Sequence, residues 1–321
     1  MKIVSQKYRV IFFGLGSIGR RLSQLVQEHF ATEIYALRTK KGETPGFYGV
    51  HEFFSLAEVD TLPFDVAFVT NPTAFHVDTA LFCAQRGMNL YIEKPLSDSL
   101  KGVPFLLELI KSKKLRTHVG CVLRFDPLLN AIKHFIKDRT VIGAHAVCKT
   151  FLPRWRPHRD YRSSYSAKKS LGGGVLLDLI HEPDYLAWLF GPIEAIEGEA
   201  GKRKNHEIET EDYGELFILH NSGVRSHVSL DYFDEREERT ITLWGEDFTL
   251  EGNLRTRTLK IRTKKGELSD YYPLFDRNSL YLAELKHFFE CLISGINPMN
   301  DIFEHLTVLK PLLAFRERMG L

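Results

Sequence analysis

The rhythm of apolar and polar positions changes once along the chain. In the first hundred or so residues, short continuous apolar runs alternate with stretches of helical spacing. "YRVIFF", beginning at Tyr8, leads into "GLGSIGRRLSQLVQEHF", where apolar side chains return at Ile18, Leu22, Leu25 and Val26. That pattern predicts a strand, a tight turn and a helix. "EIYALR" supplies a second strand, "FDVAFVTNP" ends a third and "NLYIEKP" a fourth. Strands apolar on both faces, separated by helices, predict a parallel sheet of strand–helix–strand units.

From about Val141 the texture differs. "GELFILH", "VRSHVSLDYF", "RTITLWG" and "TRTLKIRT" alternate in the manner of a mainly antiparallel sheet with one exposed face. The expectation is α/β followed by α+β, divided into residues 1–122 and 123–321. The junction falls near "GCVLRFDPLL", with Asp126 as N-cap and Pro127 in the first helical position. The final segment reads as two helices broken by "GINP", the first striped by Leu282, Leu285, Phe288, Phe289 and Leu292.

Composition narrows the classes. The 321 residues are 44% hydrophobic and 26% charged, an ordinary globular balance that excludes disordered and collagen-like chains. Lys and Arg number 43 against 41 Asp and Glu, so charge alone draws the chain to neither nucleic acid nor an anionic membrane. "MKIVSQKYRV" lacks a signal-peptide pattern and no apolar run approaches a membrane span, so the cytoplasm is the expected location. Cys83, Cys121, Cys148 and Cys291 are scattered, predicting neither disulfide nor metal site.

Chemistry is concentrated at four places. Gly14, Gly16, Ser17, Ile18 and Gly19 form a GxGxxG turn directly after the first strand. There the first glycine makes the turn, the second admits a pyrophosphate and the third packs helix on strand. After the second strand stand Arg38, Thr39, Lys40 and Lys41 in place of an acidic residue. Positive donors suit the 2′-phosphate of NADP, with NAD, served by Glu43 or backbone, as the alternative. Thr70, Asn71 and His76 follow the third strand, and Glu93, Lys94 and Pro95 the fourth, at the edge where open parallel sheets bind ligands. Finally "GGGVLLDLIHEPDYLAWLFG" places Asp178, His181 and Asp184 at three-residue steps on one helix face, after a glycine run able to admit a substrate. Pro183 should kink that helix or mark a fresh start. The preceding loop carries Arg154, Arg156, Arg159 and Arg162 among Trp155, Tyr161 and Tyr165, a wall able to hold a sugar ring and an anion; Arg124 and Asp184 are further substrate candidates.

In this order, the GxGxxG turn, the "NPTxxH" turn, the EKP tripeptide and the GGG…D…H…D segment resemble the glucose–fructose oxidoreductase, inositol dehydrogenase and MocA-type (Gfo/Idh/MocA) family. The resemblance implies an N-terminal Rossmann domain and a C-terminal α+β domain on a large open-faced sheet that builds a homodimer or homotetramer. It implies Glu93 near the nicotinamide ribose, Lys94 at the reacting hydroxyl and His181 as acid/base. An imidazole suits proton transfer at neutral pH, a Lys cation stabilises an alkoxide, and an Asp beside the His fixes its tautomer. In the family that Asp stands four residues before the His, whereas Asp178 stands three before His181. The expected reaction is hydride transfer between NAD(P) and a hydroxyl or ketone of a sugar or sugar derivative, acidic or nucleotide-linked. Two other outcomes fit the same motifs: a net redox-neutral elimination or hydrolysis through transient oxidation, and a dinucleotide-sensing regulator.

Overall fold

A computed structural model describes residues 6–38, 49–272 and 276–321. The chain divides into two compact units, residues 1–120 with 276–305, and residues 121–275 with 306–321.

The first unit is a six-stranded sheet built from β1 (Tyr8–Phe13), β2 (Thr32–Leu37), β3 (Val50–Phe53), β4 (Val66–Val69), β5 (Asn89–Glu93) and β6 (Thr117–Gly120). Its order is β3-β2-β1-β4-β5-β6 and every pairing is parallel. The order reverses between β1 and β4, the switch point where such sheets open a crevice beyond the strand ends. Helices α1 (Ser17–His29), α2 (Leu56–Val59), α3 (His76–Gln85) and α4 (Val103–Lys113) connect the strands. Val66 to Val69 are fully buried, which is why β4 reads as a continuous apolar run. The four-residue β3 carries too little pattern to be seen in the sequence.

The second unit holds α5 (Pro127–Ile136), β7 (Val141–Lys149), α6 (Val175–Asp178), α7 (His181–Phe190), β8 (Ile193–Gly201), β9 (Tyr213–His220), β10 (Arg225–Asp231), β11 (Arg239–Gly245), β12 (Phe248–Asn253), β13 (Thr258–Thr263) and β14 (Gly266–Tyr271). The eight-stranded order is β14-β13-β12-β11-β7-β10-β9-β8, antiparallel except for the β7–β10 pair. Asp126 caps α5 as its sequence predicts, accepting from the Leu128 N–H at 2.8 Å.

The division expected at residues 122/123 misses one excursion. Helix α8 (Arg277–Ser294) clusters with the first unit, and α9 (Ile302–Arg318) runs across the division at 305/306. The reason is aromatic: Phe289 stacks on Phe30 at 4.5 Å and tilts against Tyr8 at 5.4 Å, while Phe288 sets its edge to Tyr91 at 5.6 Å. Both phenylalanines are fully buried, so α8 closes the core of the parallel sheet. Among the described residues, no helix is long and apolar enough to cross a membrane, and all four cysteines are buried and unbridged.

Candidate functional site

In the first unit the glycine turn divides its labour as its spacing implies. A Cβ on Gly14 (φ +106°) would lie 2.9 Å from the Asn71 nitrogen, and one on Gly19 would lie 2.2 Å from the Gly14 carbonyl oxygen. These two glycines are demanded by the chain's own backbone. A Cβ on Gly16 would meet nothing within 4 Å, and Gly16 caps α1 without a side-chain hydrogen bond. Open space beside uncommitted helix N–H groups is what a pyrophosphate needs. Gly16→Ala is therefore expected to leave thermal stability almost unchanged while lowering dinucleotide affinity at least about tenfold, whereas Gly19→Ala should unfold the unit; calorimetric titration and thermal melts separate the two.

The neighbouring strand ends supply acceptors. Thr70 Oγ1 donates to the Gly14 carbonyl at 2.6 Å, so this side chain braces the turn. Asn71 Nδ2 donates to Thr79 Oγ1 at 2.8 Å, while Asn71 Oδ1 and Glu93 Oε1 are buried without a hydrogen-bond partner among the described residues. Two orphaned acceptors at the ends of adjacent strands fit hydroxyl or amide donors of a bound ligand. Lys94, half-buried, follows Glu93 through to a cis Lys94–Pro95 peptide.

One cofactor assignment is corrected, and another gains a partner. His76 does not face a ligand: it is 1% exposed, with Nδ1 2.8 Å from the Pro95 carbonyl and Nε2 2.8 Å from the Asn71 carbonyl. It ties the Asn71 turn to the EKP turn, and burial lowers its pKa even though both carbonyls favour the charged ring. Arg38 is buried and ion-paired with Glu52 on β3, an acidic partner that sequence reading overlooked because it lies 14 residues away on an unrecognised strand. Thr39, Lys40, Lys41 and Glu43 lie outside the described residues.

The second unit assembles the other candidates around Asp178. The helix breaks at Leu179 and Ile180, so Asp178 ends α6 and His181 begins α7. Pro183 takes the third position of α7, where a helix has no use for its missing N–H. The picture of one continuous helical row is thus replaced by two short helices. Asp178 accepts from the Tyr165 hydroxyl at 2.7 Å and the Tyr232 hydroxyl at 2.6 Å. Burial, then the Asp178 charge, hold both phenols well above their ordinary range, so both remain donors. Arg156 stacks over Tyr165 at 5.7 Å, and Trp155 sets its ring edge-on to Tyr232 at 5.5 Å. Tyr232, which carried no signal beyond its place in an alternating segment, thus links Trp155 to the group formed by Asp178, Tyr165 and Arg156.

Arg124 and Asp184, expected at the substrate, hold each other instead. Arg124 Nε and Nη2 donate to the two Asp184 oxygens at 2.8 and 2.9 Å, with both side chains 1% exposed. The glycine run likewise faces the chain itself. A Cβ on Gly173 would strike the Tyr165 carbonyl oxygen at 2.3 Å, and one on Gly174 (φ +120°) the Glu211 carboxylate at 2.3 Å. In the basic loop, Arg154 pairs with Glu235, Arg162 with Asp160 and Glu207, and Lys168 with Glu209, all on exposed side chains. Those charges are matched locally; of the loop's other arginines, Arg156 is the one placed over the Tyr165 ring, which makes it the better candidate for an anion beside a sugar.

A parallel sheet with an open glycine turn, orphaned acceptors and a Lys at its ligand edge, joined to an α+β unit that presents a His at a helix start, defines a dinucleotide-dependent oxidoreductase. The chain belongs to the Gfo/Idh/MocA family: residues 8–121 match the oxidoreductase family's NAD-binding Rossmann fold, and residues 130–251 match the GFO/IDH/MocA C-terminal domain. It is 29% identical over 248 residues to scyllo-inositol 2-dehydrogenase (NAD(+)) of Bacillus subtilis, covering 73% of this chain and 69% of that protein. It is 24% identical over 315 residues to myo-inositol 2-dehydrogenase of Thermotoga maritima, covering 90% of each. Levoglucosan dehydrogenase in complex with NADH shares the fold, with a TM-score of 0.87 at 15% identity over 98% of this chain and 97% of that one. The protein is an NAD(P)-dependent oxidoreductase.

Proposed function

We propose that the enzyme transfers a hydride between nicotinamide and a secondary hydroxyl or ketone of a sugar or cyclic polyol, with His181 as acid/base and Lys94 at the reacting oxygen. The observation that carries this reading is the alignment, in one sheet, of the open Gly16 turn with Lys94 at the end of β5. When bound, NAD(P) supplies the hydride acceptor. The chain's part is to take the hydroxyl proton, at His181, and to offset developing negative charge on oxygen, at the Lys94 ammonium. Trp155, Arg156 and Tyr165 would hold the substrate, fixed by the Asp178 and Tyr232 hydrogen bonds behind them. The inositol and levoglucosan dehydrogenases similar to this chain act on ring polyols and an anhydrosugar by their names, which supports that substrate class. Incubating the protein with each dinucleotide over a panel of inositols, sugars, uronic acids and nucleotide sugars tests it. Substrate-dependent nicotinamide absorbance is expected, and its absence across the panel despite dinucleotide binding would refute the reading.

Arg38 and Glu52 are proposed to set cofactor choice as a pair. A 2′-phosphate would compete with Glu52 for the guanidinium, whereas a 2′-hydroxyl would use the carboxylate. Arg38→Ala is expected to weaken NADP binding by about tenfold or more and NAD binding far less, as loss of a charge-assisted contact implies. Equal weakening in a fluorescence titration would remove Arg38 from cofactor selection.

Self-association is proposed to use the open face of the eight-stranded sheet. Across it Phe217, 55% exposed, stacks on His227 at 4.6 Å, and His227 stacks on His145 at 4.4 Å. This aromatic rung supports a homodimer or homotetramer, which sedimentation velocity would detect.

A further inference from the structure

At the ligand edge of β5 and β6 the first unit buries a set of proton carriers that the hydride-transfer reading does not use. Glu93 closes β5 at 9% exposure, with Oε1 unpartnered among the described residues. Glu284 on α8 is wholly buried; its Oε2 accepts from the Tyr91 hydroxyl at 2.6 Å and its Oε1 lies 3.0 Å from His118 Nε2. His118 Nδ1 lies 2.8 Å from the Met299 carbonyl. A carbonyl only accepts, so Nδ1 must carry hydrogen.

Glu93 shares this space. A methyl placed on Gly120 would lie 3.1 Å from the Tyr91 hydroxyl and 3.2 Å from Glu93 Oε1. The charged and titratable groups around Glu93 are Lys94 beside it, Tyr91 on β5, His118 on β6, and Arg277, Tyr281 and Glu284 on α8. Burial, and after it the Glu284 charge, push the Glu93 carboxyl up to about 8 against the opposing pull of Lys94 and Arg277. Near neutral pH this carboxyl is mostly uncharged.

A dinucleotide with its pyrophosphate at the turn after β1 extends one arm over β2 and the other over the half of the sheet that contains β4 and β5. With the 2′ position at the end of β2, the nicotinamide arm would run toward the strand ends that carry Asn71 and Glu93. The oxidised ring is a cation and the reduced ring is neutral. We propose that Glu93 releases its proton when the oxidised dinucleotide binds and keeps it when the reduced form binds, so that proton release reports the redox state of the bound cofactor. The Glu93 O–H bond breaks, the proton passes to buffer, and the carboxylate offsets the positive charge of the oxidised cofactor; no electron moves. This rests on the dinucleotide-binding reading.

Titration calorimetry of the intact protein at pH 7, with oxidised and reduced dinucleotide in two buffers of different ionisation heat, counts the protons. Close to one proton released per oxidised molecule and none per reduced molecule is expected. Affinity for the oxidised form should rise with pH up to about 8 and then level, because the bound state favours the ionised carboxyl, while affinity for the reduced form stays flat. Glu93→Gln, isosteric with the protonated acid, should abolish the release and flatten the oxidised-form profile. Equal proton counts for the two forms of cofactor in the unaltered protein, or release that persists in Glu93→Gln, would overturn the proposal. Absence of binding heat and of ligand-induced thermal stabilisation with every dinucleotide would instead overturn the dinucleotide reading on which it rests.

Discussion

Replacing His181 with Ala is expected to lower kcat by about a hundred- to ten-thousandfold, the usual worth of a positioned proton-transfer group, and to leave dinucleotide affinity nearly unchanged. The asymmetry follows from where the residue lies. His181 begins α7 in the second unit, whereas the glycine turn, Asn71 and Glu93 belong to the first. Loss of the imidazole removes a proton acceptor without touching the surface that fits the pyrophosphate. Steady-state rates with a separate binding titration check it, and parallel loss of both would sink the acid/base assignment. Asp178→Asn should fall between the variant and the native enzyme, because the Tyr165 and Tyr232 hydroxyls donate to separate Asp178 oxygens, and the amide keeps an acceptor for one of them while turning an N–H donor toward the other.

Asp184→Ala is expected to cost roughly 3–5 kcal/mol of stability, since it leaves the Arg124 guanidinium buried without its carboxylate. The pair matters through that penalty more than through attraction. Changing both residues to Leu should recover most of the loss, because desolvating two charges offsets much of what their contact contributes. Urea denaturation of the two single variants and the double variant decides it. A single-variant cost below about 1 kcal/mol, the range of exposed ion pairs, would show that Arg124 finds solvent. Since Asp184 and His181 share the first turn of α7, the anchor also fixes the rotation at which that helix presents its His.

What the sequence disclosed and what it hid divide along physical lines. Period-two and continuous apolar runs report burial of a face, and burial of a face is what a sheet requires; hence both sheets were legible down to "GELFILH" and "FDVAFVTNP". Backbone demands were legible for the same local reason: Gly14 and Gly19 answer to atoms of their own turn. Pairings across long separations left no trace. Arg124 and Asp184 are 60 residues apart and Tyr232 and Asp178 are 54 apart, so each charged or phenolic group could as well have been aimed at a ligand. Three polar residues at helical spacing suggested one shared helix face, but a helix break after Asp178 and a buried partner for Asp184 gave them separate tasks. Glu93 shows the converse. Its motif marked it as cofactor-facing, yet only the fold reveals Glu284 arriving from the other end of the chain to contest its charge.

The excursion of residues 276–305 into the first unit bears on how the polypeptide matures on the ribosome. A nascent chain that has emerged only as far as Gly120 holds every strand of the parallel sheet but neither Phe288 nor Phe289, so Tyr8, Phe30 and Tyr91 await the rings that cover them. The segment synthesised in between can complete its own eight strands first. The N-terminal portion is then the last to become fully enclosed, the reverse of the order in which it is made, and a fragment ending near residue 122 would expose an aromatic surface prone to aggregation.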